Sequence, residues 1–237
     1  MGDAFDSTDQ DADGRVEQVV AHVRATLGEP SGWVEPAGYP QGLALCVIDS
    51  IQSIGVTYGS VVKVVNRYTA LRRSQGCDPA VDGTPELLST FASLGGVEAW
   101  AQSVGSANRT STHAGAPLKA LAIEQAATAL SASEIFTCRD LRDAGADQLR
   151  QAEQAWRGVP GQRSGTSWRY LLMLSGTPGV KPDRMILRFV AAALNSAKSG
   201  VNTDLAATLV TEAAQQLGVT PTKLDHAMWR WQSGRAS

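Results

Sequence analysis

Two features of this 237-residue sequence carry residue types and spacing that can do chemistry: a carboxylate before a helix, and a glycine-bearing turn between two helices. Asp183 stands in Lys181-Pro182-Asp183, directly before the helical pattern Met185, Ile186, Phe189, Val190. There its side chain can cap the first amides, which is worth about 1 kcal/mol. Held ionised by those amides, the same carboxylate can stabilise a cationic sugar or orient a water molecule. The run Val159-Pro160-Gly161-Gln162-Arg163-Ser164-Gly165-Thr166 ends one helical pattern and opens the next. Its glycines allow close backbone approach, and the free N–H groups of a helix start can meet a phosphate. Local spacing alone favours the plainer roles, a helix cap for Asp183 and an ordinary helix–helix turn for 159–166.

The elements that must position these residues are helical. Val16, Val19, Val20, Val23 and Leu27 predict a helix over 15–27, followed by a Gly/Pro-rich linker to Pro40. Segments 43–54 and 56–71 are apolar on nearly all sides and break at Gly55, which predicts two buried helices joined by a tight turn. Helical patterns continue over 84–94, 96–104, 117–131, 134–144 and 146–157. After the turn they run to Ser175, from Asp183 to Leu194, and over 203–217 and 220–232. Strand-like alternation is missing, so the expected fold class is all-α.

Composition narrows the function. The length suits one large domain or two small lobes. No apolar run approaches the ~20 residues needed to cross a bilayer, and the acidic N-terminal residues do not form a secretory signal. A cytoplasmic protein with no membrane partner is expected. Cys46, Cys77 and Cys138 are too few and too scattered for a disulfide framework, a zinc site or a four-cysteine iron–sulfur cluster, so neither metal nor cofactor is expected. Asp9-x-Asp11-x-Asp13-Gly14 mimics the opening of a calcium loop, but the twelfth loop position holds Val20 instead of the required Glu. Residues 1–14 read as a disordered acidic tail. Net charge is −2, yet five of the 23 acids lie within residues 1–13, leaving the remainder mildly basic. That balance neither demands nor excludes DNA, because backbone amides contact phosphates without formal charge.

In order and separation, the turn and Asp183 resemble the helix-hairpin-helix DNA glycosylase superfamily, of the endonuclease III, adenine-glycosylase and alkyl-purine-glycosylase type. Val159-Pro160-Gly161 and Thr166-Ser167 match its hairpin, and Asp183 falls where the family's catalytic Asp stands. Lys-Pro-Asp is closer to the alkyl-purine branch. Upstream, Asp49-Ser50-Ile51-Gln52 resembles the end of the family's early buried helix, and 104–123, with Lys119-Ala120, resembles its Gly-x-x-x-Lys-Ala segment. The similarity covers about residues 40–195.

The resemblance implies a two-lobed helical bundle with a helix-hairpin-helix motif: a lobe of 40–158, and a second of 15–39 with 159–237. It implies a monomeric protein acting on double-stranded DNA. Asp183 would be the catalytic carboxylate, Gly161, Arg163, Gly165 and Thr166 the backbone-binding hairpin, and Gln52 the wedge filling the gap left by an extruded base. The base pocket is expected between the lobes, with Tyr58, Trp168 and Tyr170 as wall candidates that also suit core positions. Arg109 and Lys119 are candidate phosphate contacts, while His113 and His226 stay outside the catalytic set. Trp229 and Trp231 are expected to pack the C-terminal end.

Three departures shape the expectation. Gly165 stands where bifunctional members carry a Schiff-base lysine, which implies monofunctional hydrolysis with water. Arg163 replaces the second hairpin glycine, which puts phosphate docking there in question. The family's iron–sulfur cysteines are missing. The alternative is a catalytically inactive DNA-binding or scaffolding protein of the same architecture, and a third reading is a helical protein-interaction module.

Overall fold

The computed structural model describes residues 6–197 and 200–234, with side chains from Gly14 onward. Among the described residues the chain is helical, with no β-strand. In order the α-helices are α1 (Asp6–Leu27), α2 (Leu43–Gln52), α3 (Tyr58–Ser74), α4 (Thr84–Leu94), α5 (Val97–Ser103) and α6 (Lys119–Ala132). They continue as α7 (Cys138–Asp143), α8 (Ala146–Gly158), α9 (Thr166–Leu174), α10 (Arg184–Ala193), α11 (Thr203–Gln216) and α12 (Pro221–Gln232). No helix among the described residues is long and apolar enough to cross a membrane.

Most boundaries follow the sequence pattern, and two do not. α7 starts at Cys138, later than the periodicity predicts, because a reciprocal cap fixes the start. The Thr137 hydroxyl accepts from the Asp140 amide at 3.2 Å, and the Asp140 carboxylate accepts from the Thr137 amide at 2.8 Å. Glu134 before it takes a positive φ of 58°, which interrupts helical backbone. The second difference is the N-terminal segment: α1 already begins at Asp6, so 6–14 is helical where a disordered tail is expected. Residues 1–5 of that tail lie outside the described residues. Helical backbone over Asp9–Gly14 also excludes the wrapped conformation of a calcium loop.

The chain divides into two compact units, residues 37–177 and residues 1–36 with 178–237. The division falls after Thr177, so the 159–165 turn and α9 belong with the helical lobe, not with the second lobe to which the sequence reading assigned them. The cause is apolar burial: Trp168, Leu171 and Leu174 of α9 join the same core as α2, against which α9 packs. In the other unit, Val16, Val19, Val20 and Val23 of α1 form a core with α10, α11 and α12.

Every residue of α2 is buried, packed against α3, α4, α6 and α9. A buried helix needs partners for its terminal amides and carbonyls. At its start, the Ala44 amide donates to the Asp82 carbonyl at 3.0 Å. The Asp82 carboxylate in turn accepts from Arg72 Nε at 2.7 Å, Arg72 Nη2 at 3.1 Å and the buried Tyr68 hydroxyl at 2.8 Å. This forked pairing of a nearly buried guanidinium with a buried carboxylate ties α3 to the loop that receives α2. Asp82→Ala removes the carboxylate partner of Arg72, whose side chain is 11% exposed, and is expected to cost about 3–5 kcal/mol in urea unfolding. A cost below about 1 kcal/mol would show that the pair does not hold this junction.

Candidate functional site

The 159–165 turn is built from α8, α9 and two glycines. α8 ends as the Val159 amide donates to the Trp156 carbonyl, and the turn closes with Gln162 N–H to Val159 O and Gly165 N–H to Gln162 O, each 3.0 Å. Gly165 is the N-cap of α9 at φ 74°, a left-handed position that glycine adopts without strain. It offers no side chain to the first amides of α9. Thr166 N–H reaches Ser164 Oγ at 3.4 Å, and Ser164 Oγ donates to Thr166 Oγ1 at 3.2 Å. Arg163 is exposed at the tip, its carbonyl accepting from Arg157 Nε at 3.0 Å. The turn therefore presents a helix start with no N-cap side chain, its first amide met by Ser164 Oγ, beside an exposed Arg163 and an Arg157 paired with Glu153 at 3.4 Å.

Gly161 is exposed, yet it packs closely on one side. Its φ is 81°, and a Cβ there would lie 2.9 Å from Thr110 Cβ and 3.0 Å from Thr110 O. Thr110, in the 106–117 loop of the same unit, thus closes the place a side chain would take. Gln162 beside it is 2% exposed, with Nε2 donating to Pro160 O at 3.1 Å.

Asp183 is the N-cap of α10. Its Oδ1 accepts from the Met185 amide at 2.7 Å and the Ile186 amide at 3.3 Å. The preceding segment, 179–182, is non-helical and anchored from α12. Gly179 N–H donates to Thr222 Oγ1 at 3.0 Å, and Lys181 N–H donates to Asp225 Oδ1 at 2.9 Å. Val180 and Pro182, the alternating residues, are buried. Asp225 is a second carboxyl beside Asp183, and it is 7% exposed. Burial pushes it up to about 8; the Lys181 amide and charge act the other way, and the Asp183 charge adds to the rise.

Gln52, the expected wedge, closes α2 with no exposed surface. Its Oε1 accepts from Ser106 Oγ at 3.4 Å, and its Nε2 has no hydrogen-bond partner. Acting as a wedge would require the side chain to leave this position. Lys119 is no phosphate contact: at 2% exposure its ammonium donates to Gln52 O at 2.8 Å and Ile54 O at 2.5 Å, closing the end of α2. Arg109 is exposed and donates from Nη1 to Ala116 O across its own loop at 2.5 Å. Trp168 is core, edge-on to Trp156 at 5.9 Å, and His113 is exposed. Trp231 packs edge-on to Phe189 at 5.6 Å and Trp229 stacks on His226 at 5.9 Å, the packing expected of the C-terminal end.

Sequence reasoning missed the buried Asp49, one turn before Gln52 on α2. The Tyr39 hydroxyl donates to its Oδ2 at 3.0 Å, and Tyr170 also hydrogen-bonds it. Both phenols are raised, by burial first and then by the Asp49 charge. The signal was present: Asp49 is the one acid within the apolar run 43–54. Among the described residues no group of three or more His, Cys, Asp or Glu side chains could hold a metal ion.

Residues 17–233 match a family described as "Domain of unknown function (DUF8548)". The chain belongs to this family. The match runs from within α1 to the end of α12, so the 159–165 turn, Asp183 and the Asp225 anchor all lie inside it. No curated protein and no solved structure matches the chain.

Two outcomes follow from this geometry. Gly161→Ala meets both a strained φ and Thr110, and is expected to cost about 1–3 kcal/mol in thermal unfolding. Gly165→Ala shares the strained φ but meets only side-chain atoms of Glu153 and Arg157 at 3.6–3.7 Å, so it should cost less. Asp225 binds its proton more tightly folded than unfolded, so the stability this gives is complete below the ordinary carboxylate range and is lost as pH rises through about 8. Asp225→Asn is neutral throughout. Its stability relative to the parent should therefore rise with pH by about 1.4 kcal/mol per unit across that window, and a pH-independent difference in denaturant unfolding would refute the assignment.

Proposed function

We propose that the protein is a monofunctional base-excision glycosylase that acts on double-stranded DNA. The observation that carries this reading is the placement of Asp183, a carboxylate held at the first amides of α10 behind an anchored Lys-Pro segment, where the resemblance puts the catalytic acid. An anion fixed in this way is preorganised to stabilise positive charge on a sugar as the bond from C1′ to the base breaks. The departing base takes the bonding electron pair, water adds at C1′, and a proton from that water leaves. With Gly165 in place of a lysine, no Schiff base forms at the turn and strand cleavage does not accompany excision.

The start of α9, which has no N-cap side chain, supports the binding half of the reading. Its amides suit a phosphate oxygen, and Arg163 adds positive charge beside them, Arg157 being paired with Glu153 at 3.4 Å. Gly161, Arg163 and Thr166 reach the surface and would meet the phosphate, while the buried Gly165, its amide spent on Gln162 O, shapes the turn from within. The buried Gln52 is the observation that favours the second reading, an inactive DNA-binding protein of the same build, because extrusion of a base needs something to take its place in the stack.

The test is excision from duplexes bearing uracil, alkylated purines, oxidised bases or mismatches, followed by hot alkali to cut abasic strands. The parent is expected to yield alkali-dependent cleavage on one base class, and Asp183→Asn to lose about 100-fold or more in rate while keeping its affinity for duplex. Binding should weaken steeply with added salt. Salt-sensitive binding with no excision across the panel would select the inactive binder, and equal rates for parent and Asp183→Asn would remove Asp183 from the mechanism.

A further inference from the structure

We infer that Asp225 and Thr222 of α12 are positioning residues for Asp183: by holding the backbone of residues 179–181 they set where the Asp183 carboxylate stands. The inference rests on the reading of Asp183 as the catalytic carboxylate and adds two residues from the far end of the chain to its function.

The geometry of the segment makes the link short. Thr222 Oγ1 both accepts from Gly179 N–H at 3.0 Å and donates to Gly179 O at 3.3 Å, so one hydroxyl holds both polar groups of a single residue. Two residues on, Asp225 Oδ1 takes the Lys181 amide at 2.9 Å. The Lys181 carbonyl then accepts from Asp183 N–H at 2.7 Å, which folds the chain tightly into the cap. Both peptide groups of Lys181 are therefore fixed, one by α12 and one by Asp183 itself. Pro182 is the single residue between the anchor and the carboxylate; its ring fixes φ, and its side chain is buried. Few torsions remain by which Asp183 could move independently of α12.

The residue types argue against simple packing. Thr222 and Asp225 lie on the buried side of a helix whose neighbouring inward residues, Leu224 and Met228, are fully buried and apolar. Burying a hydroxyl and a carboxyl there is unfavourable unless each meets a hydrogen-bonding partner. Both meet the backbone of 179–181 and so act on the segment that ends in Asp183. The titratable neighbours that bear on Asp225 are Lys181 and Asp183 themselves.

The test compares Asp225→Ala, Asp225→Asn and Thr222→Val with the parent and with Asp183→Asn in the full-length chain. Single-turnover excision is measured on the duplex the parent cleaves, and affinity on a duplex with a tetrahydrofuran abasic analogue. Backbone amide NMR shifts of Lys181, Met185 and Ile186 report the anchor and the Asp183 cap. Asp225→Ala is expected to lose about tenfold or more in rate with affinity unchanged, and Asp225→Asn, which keeps the acceptor, to recover most of that loss. A general loss of structure would lower affinity as well and would not be rescued by Asn. Asp225→Ala excising at the parent rate while Asp183→Asn is inactive would overturn the positioning role and leave the catalytic reading intact. If the parent excises nothing, or Asp183→Asn matches it, the catalytic reading fails by itself and the amides decide. Met185 and Ile186 shifts that move in Asp225→Ala but return in Asp225→Asn support the positioning role, and unmoved shifts overturn it. Should Asp225→Ala not fold, Thr222→Val carries the comparison against the same rates and shifts.

Discussion

The buried end of α2 is the constraint around which the 37–177 unit is organised. A helix that is buried over its whole length delivers its last carbonyls into the interior, where each needs a donor. The Lys119 ammonium supplies it, reaching Gln52 O and Ile54 O from the first residue of α6. An ammonium kept out of water needs several oxygen partners, so Lys119 must arrive in a definite place. The backbone arranges this: Lys119 N–H donates to Asn108 O at 2.8 Å and Thr110 N–H to Pro117 O at 2.9 Å, clasping the two arms of the 108–119 loop. Thr110 then sits against Gly161. The register of the 159–165 turn is thus tied, through one loop, to the end of the central helix.

The other unit solves a similar problem by different means. Its non-helical 179–182 segment has backbone donors without helical partners, and α12 provides side chains for them: Thr222 for Gly179 and Asp225 for Lys181. Asp225 cannot release its proton there as easily as an exposed acid. It serves as the acceptor for the Lys181 amide, while the neighbouring Asp183 accepts from the first amides of α10. Two carboxyls in one place are thereby spent on different stretches of backbone, one on the loop before the helix and one on the helix start.

How far the sequence revealed this depends on the range of the interaction. Helix positions were legible because apolar spacing is local: α4 covers the span its pattern predicts, and Gly55, at φ 71°, breaks the run between α2 and α3 as expected. α7 was misplaced because its start is decided by the Thr137–Asp140 cap, which outweighs a periodicity that runs on through Glu134. Asp183 was legible as a cap because the partner amides are two and three residues away. The burial of Gln52, the internal use of Lys119 and the placement of α9 with the helical lobe were not, since each depends on residues far off in the chain. Asp225 shows the limit most clearly: Asp225 and its partner Lys181 are close only after α10 and α11 have folded between them.

The two glycines of the turn illustrate why a motif transfers only in part. Both have positive φ, so both are required by the backbone, yet their surroundings differ. The missing side chain of Gly161 makes room for Thr110, an internal neighbour, whereas a Cβ on Gly165 would meet nothing closer than 3.6 Å, and Gly165 opens a helix without a side-chain cap. The Gly161 backbone is exposed although the place of its missing side chain is closed by Thr110, whereas the Gly165 backbone is buried and its amide is spent on Gln162 O. Positive φ explains why both positions are glycine, and burial, which depends on the 106–117 loop and on α8, decides which of the two meets solvent.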